Sequence, residues 1–133
     1  TNGSRPRMLK TLVEAGLGDY LAMDIKTEPE RYADGLARMG DGAALLASIQ
    51  IAMDSGVDYE FRTTCVRPLV TAATIRRIAQ LISGSRRYAL QPFRDCRMLH
   101  PAYFRDIDPA YSPEEMERFR RIAEPWVSVC TVR

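Results

Sequence analysis

Five polar side chains stand at or near the ends of three apolar runs. The first run, DYLAMDIK at 19–26, is apolar from Tyr20 to Met23 and closes on Asp24 and Lys26, with Ile25 between them. The second, YEFRTTC at 59–65, carries Arg62, and the third, YALQPFR at 88–94, ends in Gln91, Pro92 and Arg94. Residues two apart on an extended chain share a face, so Asp24 and Lys26 point the same way. Together they suit a zwitterion, or a cation beside a carboxylate. Arg62 suits a carboxylate, because its guanidinium is permanently charged and binds in a two-pronged fashion. Gln91 and Arg94 add hydrogen bonds. The set fits a small ligand with a carboxylate and a polar body. It fits equally an ion-pair network of Asp24, Lys26 and Arg62 that closes the top of a sheet, and residue chemistry leaves both readings open. No nucleophile–base pair, GxGxxG or phosphate loop accompanies these residues.

The elements that must position them alternate between helix and strand. Ser4 reads as the N-cap of a helix with Pro6 in its first turn and Met8, Leu9, Leu12 and Val13 at helical spacing. Gly16 and Gly18 stop it before a strand at 20–24. A long polar loop at 27–41 follows, with a weak helical piece over 30–39. A second helix spans 43–54 and is capped by Gly56. A strand at 57–66 leads to a helix capped by Thr71 and ended by Gly84. The third strand starts near Arg87. A second long loop covers 95–111. Ser112-Pro113-Glu114-Glu115 then starts a fourth helix that Pro125 breaks, and residues 126–132 read as a last strand. The order α-β-α-β-α-β-α-β predicts an α/β domain with a parallel sheet, right-handed crossovers and helices over both faces. The turn at 1–4 reads as following a strand cut off just upstream. Polar residues at the C-terminal tips of such strands are where ligands bind.

Composition narrows the function. The chain has 133 residues, enough for one core, and a formal net charge of +2, too small to point to nucleic acid. Of 19 basic residues two are lysines, a bias of coding composition that sets Lys26 apart. No stretch reaches the roughly 20 apolar residues of a membrane span, and no secretory signal opens the chain. Cys65, Cys96 and Cys130 lie too far apart in sequence to form a metal knuckle or an iron–sulfur ligand set, and an odd count of cysteines without a signal suits reduced thiols in a cytoplasm. Each reads as a small buried apolar residue. His100, the single histidine, reads as a surface or packing residue, and the doublets Arg76-Arg77 and Arg86-Arg87 as solvated faces and helix-end charges.

TNG at 1–3, MDIK at 23–26, FRTT at 61–64 and LQPFR at 90–94, in this order and spacing, resemble the C-terminal half of radical S-adenosylmethionine activating enzymes. The likeness is greatest to the anaerobic ribonucleoside-triphosphate reductase type and more distant to the pyruvate formate-lyase type. It covers nearly the whole chain. Each motif is weak alone, but four in register are fairly specific. The resemblance implies an α/β fold that is the C-terminal half of an open (β/α)6 partial TIM barrel with mainly parallel strands. Residues 1–133 would be the C-terminal portion of a radical S-adenosylmethionine domain. The implied activity is reductive cleavage of S-adenosylmethionine by a [4Fe–4S] cluster, followed by hydrogen abstraction from a glycine of a partner enzyme. The implied partners are a glycyl radical enzyme, namely the anaerobic ribonucleoside-triphosphate reductase, and an electron donor such as flavodoxin or ferredoxin.

By this resemblance Thr1 and Asn2 end the preceding strand of the family. Asp24 and Lys26 match its Asp-x-Lys, which contacts the cofactor or an adjacent monovalent cation. Arg62 matches an arginine near the amino-acid end of the cofactor, and Gln91, Pro92 and Arg94 match a tip beside the adenosine. Some glycyl-radical activases carry His at the position of Arg94. The cluster-binding CxxxCxxC loop of the family has no counterpart in this sequence, so the fragment alone is expected to be inactive and to hold no metal. Two other classes remain as expectations. One is a non-catalytic module docking a partner through the 95–111 loop. The other is an unrelated α/β enzyme that uses Arg62 and the arginine doublets on a phosphorylated substrate.

Overall fold

A computed structural model of the chain describes residues 1–32, 41–94 and 106–133. Its element order is α1 (Pro6–Glu14), β1 (Tyr20–Asp24), a 3₁₀ turn (Pro29–Tyr32), α2 (Gly42–Asp54), β2 (Asp58–Cys65), α3 (Ala72–Leu81), β3 (Arg87–Pro92), α4 (Pro113–Ala123), a 3₁₀ turn (Glu124–Trp126) and β4 (Val129–Val132). The four strands form one parallel sheet in the order β1-β2-β3-β4. This is the alternation expected from the sequence, and it is consistent with part of a TIM barrel.

Local chemistry explains most boundaries. Thr71 and Ser112 each close a reciprocal capping box, with Thr74 and Glu115. Pro113 sits in the first turn of α4, where its missing N–H costs nothing. Asp41, unnoticed in the sequence, caps α2 by accepting from the Ala43 N–H. Gly16, Gly56 and Gly84 follow their helices with positive φ.

Four expectations change. Ser4 does not cap α1. The N-cap is Arg5, without a side-chain bond, and the Ser4 N–H donates to Asn2 Oδ1 instead. Residues 29–32 form a 3₁₀ turn rather than the start of an α-helix, and 33–40 lie outside the described residues. Trp126 belongs to the turn that Pro125 initiates, so β4 begins three residues later than the sequence suggests.

The largest correction concerns the faces of the sheet. Leu21, Met23, Tyr59, Phe61, Thr63, Cys65, Tyr88, Leu90 and Cys130 alternate along the strands, and the register places them on one face. All but Leu21 are buried, and they pack with Ile49, Ile75, Ile78, Met116 and Phe119 of the helices. The opposite face carries Tyr20, Asp24, Asp58, Arg62, Thr64, Arg87, Gln91 and Thr131, all at least partly exposed, with Glu60 and Ala89 buried at its centre. Among the described residues helices therefore cover one face, not both. Period-2 alternation produces this division directly. The polar residues that seemed to be confined to strand tips are members of a whole polar face.

Gly3 fixes the entry to this sheet. Its φ is +72°, a region that favours glycine, and a Cβ there would lie 3.2 Å from both Leu45 Cδ1 and Met23 Sδ. The Gly3 carbonyl accepts from the buried Ser48 hydroxyl at 2.7 Å. Just before it, the Thr1 amine donates to the Ala22 carbonyl and the Asp24 N–H donates to the Thr1 carbonyl, both at 2.9 Å. That is the bonding pattern of a parallel strand partner along the outer edge of β1.

Candidate ligand site at the strand tips

The register sets Asp24 beside Arg62, and Thr64 beside Gln91. Arg62 Nε donates to Asp24 Oδ1 at 2.7 Å. Both side chains are partly exposed, so the pair contributes no more than about 1 kcal/mol to stability. Ile25 between the tip charges is fully buried and held on both sides. Its N–H donates to the Arg62 carbonyl at 2.8 Å, and its carbonyl accepts from the Thr63 hydroxyl at 2.7 Å. Thr63 in turn accepts from the Tyr88 hydroxyl at 2.8 Å. This buried chain from β3 through β2 to β1 fixes the spacing between Asp24 and Lys26.

Lys26 stands apart from the ion pair. Its side chain is exposed and has no ion-pair partner among the described residues. Its backbone N–H donates to the Tyr32 hydroxyl at 3.0 Å. Tyr32 is buried, and burial chiefly raises its pKa, so the phenol stays protonated at neutral pH. Asp24 and Lys26 line one cavity of about 300 Å³, together with Ile25, Thr27, Arg31, Thr64, Val66, Leu69 and Phe93. The shared facing of Asp24 and Lys26 is thus as the sequence predicts. The predicted three-way ion-pair network reduces to Asp24 and Arg62.

The other candidates are dispersed. Gln91 is partly buried beside Thr64. Arg94 lines a second cavity, of about 260 Å³, with Arg133, Tyr111 and Glu117. Thr1 touches β1 through its backbone, and the Asn2 side chain is turned back onto Ser4. Two side chains were not legible as site residues: Arg31, which lines the first cavity, and Tyr32, which bonds the Lys26 backbone. Arg31 was hidden by the abundance of arginine, and Tyr32 by lying in a stretch that reads as polar loop. His100, Cys96 and the aromatics Tyr103 and Phe104 of the 95–111 loop lie outside the described residues.

Deeper in the open face, Glu60 is buried in mid-strand and forms a two-pronged ion pair with Arg133. Burial alone would push its carboxyl up. Bonds from Arg133 and Tyr20 outweigh burial and hold it below its ordinary value. Arg67 clamps the far side of the site. It donates to the Ala110 carbonyl and to both Glu115 oxygens, and it lies 4.2 Å from the centroid of the Tyr111 ring. Tyr111 donates to the Val70 carbonyl at 2.6 Å. Three of the four doublet arginines are ion-paired: Arg77 holds Glu30, and Arg86 and Arg87 hold Asp58 at the N-terminal end of the sheet. That disfavours a phosphate site built on them.

The described residues do not fit an iron–sulfur cluster. No group of three or more His, Cys, Asp or Glu side chains among them converges on a metal position. Cys65 and Cys130 are buried free thiols, as expected for packing residues. Burial pushes Cys65 up to about 12 and Cys130 up to about 11, away from the thiolate that a metal needs. At pH 8 both are therefore protonated. Iodoacetamide is expected to leave them unlabelled in the native protein and to label them after denaturation, as read by peptide mass spectrometry. Rapid native labelling would show that the strand ends open readily.

No protein-family model matches the chain. Over 137 aligned residues, covering all of this chain, it is 26% identical to a protein of Methanocaldococcus jannaschii that bears the provisional name glycyl-radical enzyme activating enzyme. The chain spans 56% of that relative. This similarity supports, at the level of a general activating role, the resemblance carried by the four tip motifs.

Proposed function

We propose that residues 1–133 are the C-terminal portion of a radical S-adenosylmethionine activase, and that the polar face at the strand tips is one wall of its cofactor site. The whole-chain similarity to a protein named as an activating enzyme supports this. The observation that carries the site is the cavity that joins Asp24 and Lys26 beside the Asp24–Arg62 pair. In this reading Lys26 holds the cofactor carboxylate, Arg62 fixes Asp24, and Gln91 and Arg94, with the Thr1-Asn2 segment, border the remainder. A [4Fe–4S] cluster, held by residues outside those described, would supply the reducing electron. The complete protein would act in the cytoplasm on a glycyl radical enzyme, the anaerobic ribonucleoside-triphosphate reductase, with flavodoxin or ferredoxin as donor.

The test is anaerobic reconstitution of the complete protein, addition of S-adenosylmethionine and reduction. Release of 5′-deoxyadenosine is expected. A preparation that assembles a reducible cluster and releases none would overturn the activity.

A further inference from the structure

The cavity has a second cation that the tip motifs do not include. Arg31, on the turn after β1, lines it with Lys26. The acid of the cavity wall, Asp24, is already bonded to Arg62 at 2.7 Å, so Lys26 has no ion-pair partner among the described residues, and Arg31 has only a long ion pair outside the wall. Arg31 uses Nη1 on the Leu69 carbonyl at 3.0 Å and approaches Glu28 at 3.8 Å. Glu28 is itself engaged by the Thr27 hydroxyl. Arg31 Nε and Nη2 have no partner among the described residues, so one edge of the guanidinium fork stays available. Ile25, Val66, Leu69 and Phe93 give the wall its apolar part, and Thr27 and Thr64 add polar groups to it. A ligand matching this lining has a carboxylate at the cationic end and a body with both apolar and polar surface behind it.

We infer that Arg31 is a specificity-determining residue that grips, together with Lys26, the carboxylate of the ligand. The inference rests on the cofactor-site reading above. The bond to Leu69 holds the guanidinium against the cavity instead of leaving it free in solvent. Discrimination then lies in the charge: a ligand lacking the carboxylate loses contact with both cations and keeps only the rest of the wall.

The experiment is equilibrium binding of S-adenosylmethionine and of 5′-methylthioadenosine, which lacks the carboxylate, to the complete protein. Arg31→Gln keeps a donor for Leu69 and removes the charge. It is expected to weaken S-adenosylmethionine about tenfold and to change 5′-methylthioadenosine less than twofold. Equal weakening of both ligands would make Arg31 a structural residue and overturn the inference. An unchanged affinity for S-adenosylmethionine would overturn it too, while weakening by Lys26→Ala in the same assay would leave the cofactor-site reading standing. Absence of S-adenosylmethionine binding by the unmodified protein would remove both.

Discussion

Thr63→Val is expected to destabilise the protein by about 2–4 kcal/mol, although valine has nearly the shape of threonine. Thr63 is buried and joins three strands through one hydroxyl, donating to the Ile25 carbonyl and accepting from Tyr88. Valine leaves both partners buried and unbonded, and each such group costs about 1–3 kcal/mol. Tyr88→Phe removes its donor and the need for an acceptor together, and Thr63 still reaches Ile25. Its cost is expected to be about 0.5–1.5 kcal/mol. Urea denaturation monitored by circular dichroism measures both, and an unchanged m-value would place the loss in stability. A Thr63→Val loss below that of Tyr88→Phe would show that the relay carries no net stability. The consequence for the site follows from position. Ile25 separates Asp24 from Lys26, so releasing its carbonyl loosens the spacing on which their common cavity depends.

This relay illustrates what the sequence revealed and what it concealed. The strands were legible because apolar runs ended abruptly in charge, and the helices because Thr71, Ser112 and Pro113 carry local start signals whose chemistry is complete within four residues. The parallel sheet followed from the alternation of helix and strand, though its strand order did not. The distribution of residues over two faces was harder. Glu60, Arg62 and Thr64 were visible as alternate residues of β2, but an all-parallel sheet usually has both faces covered, and that prior hid the open polar face. Side-chain partners across strands were not legible at all. Thr63 finding Ile25 and Tyr88, or Tyr32 returning to Lys26, depends on register and on the path of a loop, and no local signal encodes either. Composition misled in one place: with arginine so abundant, Arg31 had no mark to distinguish it from solvated neighbours.

Lys26→Ala, by contrast, is expected to leave stability within about 0.5 kcal/mol, because the side chain is exposed and unpaired among the described residues. In the complete protein it is expected to weaken S-adenosylmethionine binding by about 10- to 100-fold, the range for a hydrogen bond to a charged group. Arg62→Ala separates the two roles of the tip. It frees Asp24 from its partner at 2.7 Å and should cost up to about 1 kcal/mol of stability, since the pair is partly exposed. Exchanging the charges in Asp24→Arg with Arg62→Asp should restore that stability without restoring binding, because the cavity wall would then carry a third cation where the acid stood. Isothermal titration and thermal denaturation of the three variants give both readouts. If Lys26→Ala bound the cofactor as tightly as the unmodified protein, the tip would be a scaffold in which Asp24 and Arg62 close the sheet and Lys26 merely faces solvent. If Lys26→Ala lost binding while the charge exchange kept its fold, the same few residues would divide cleanly: one pair sets the geometry, and the lysine beside it meets the ligand.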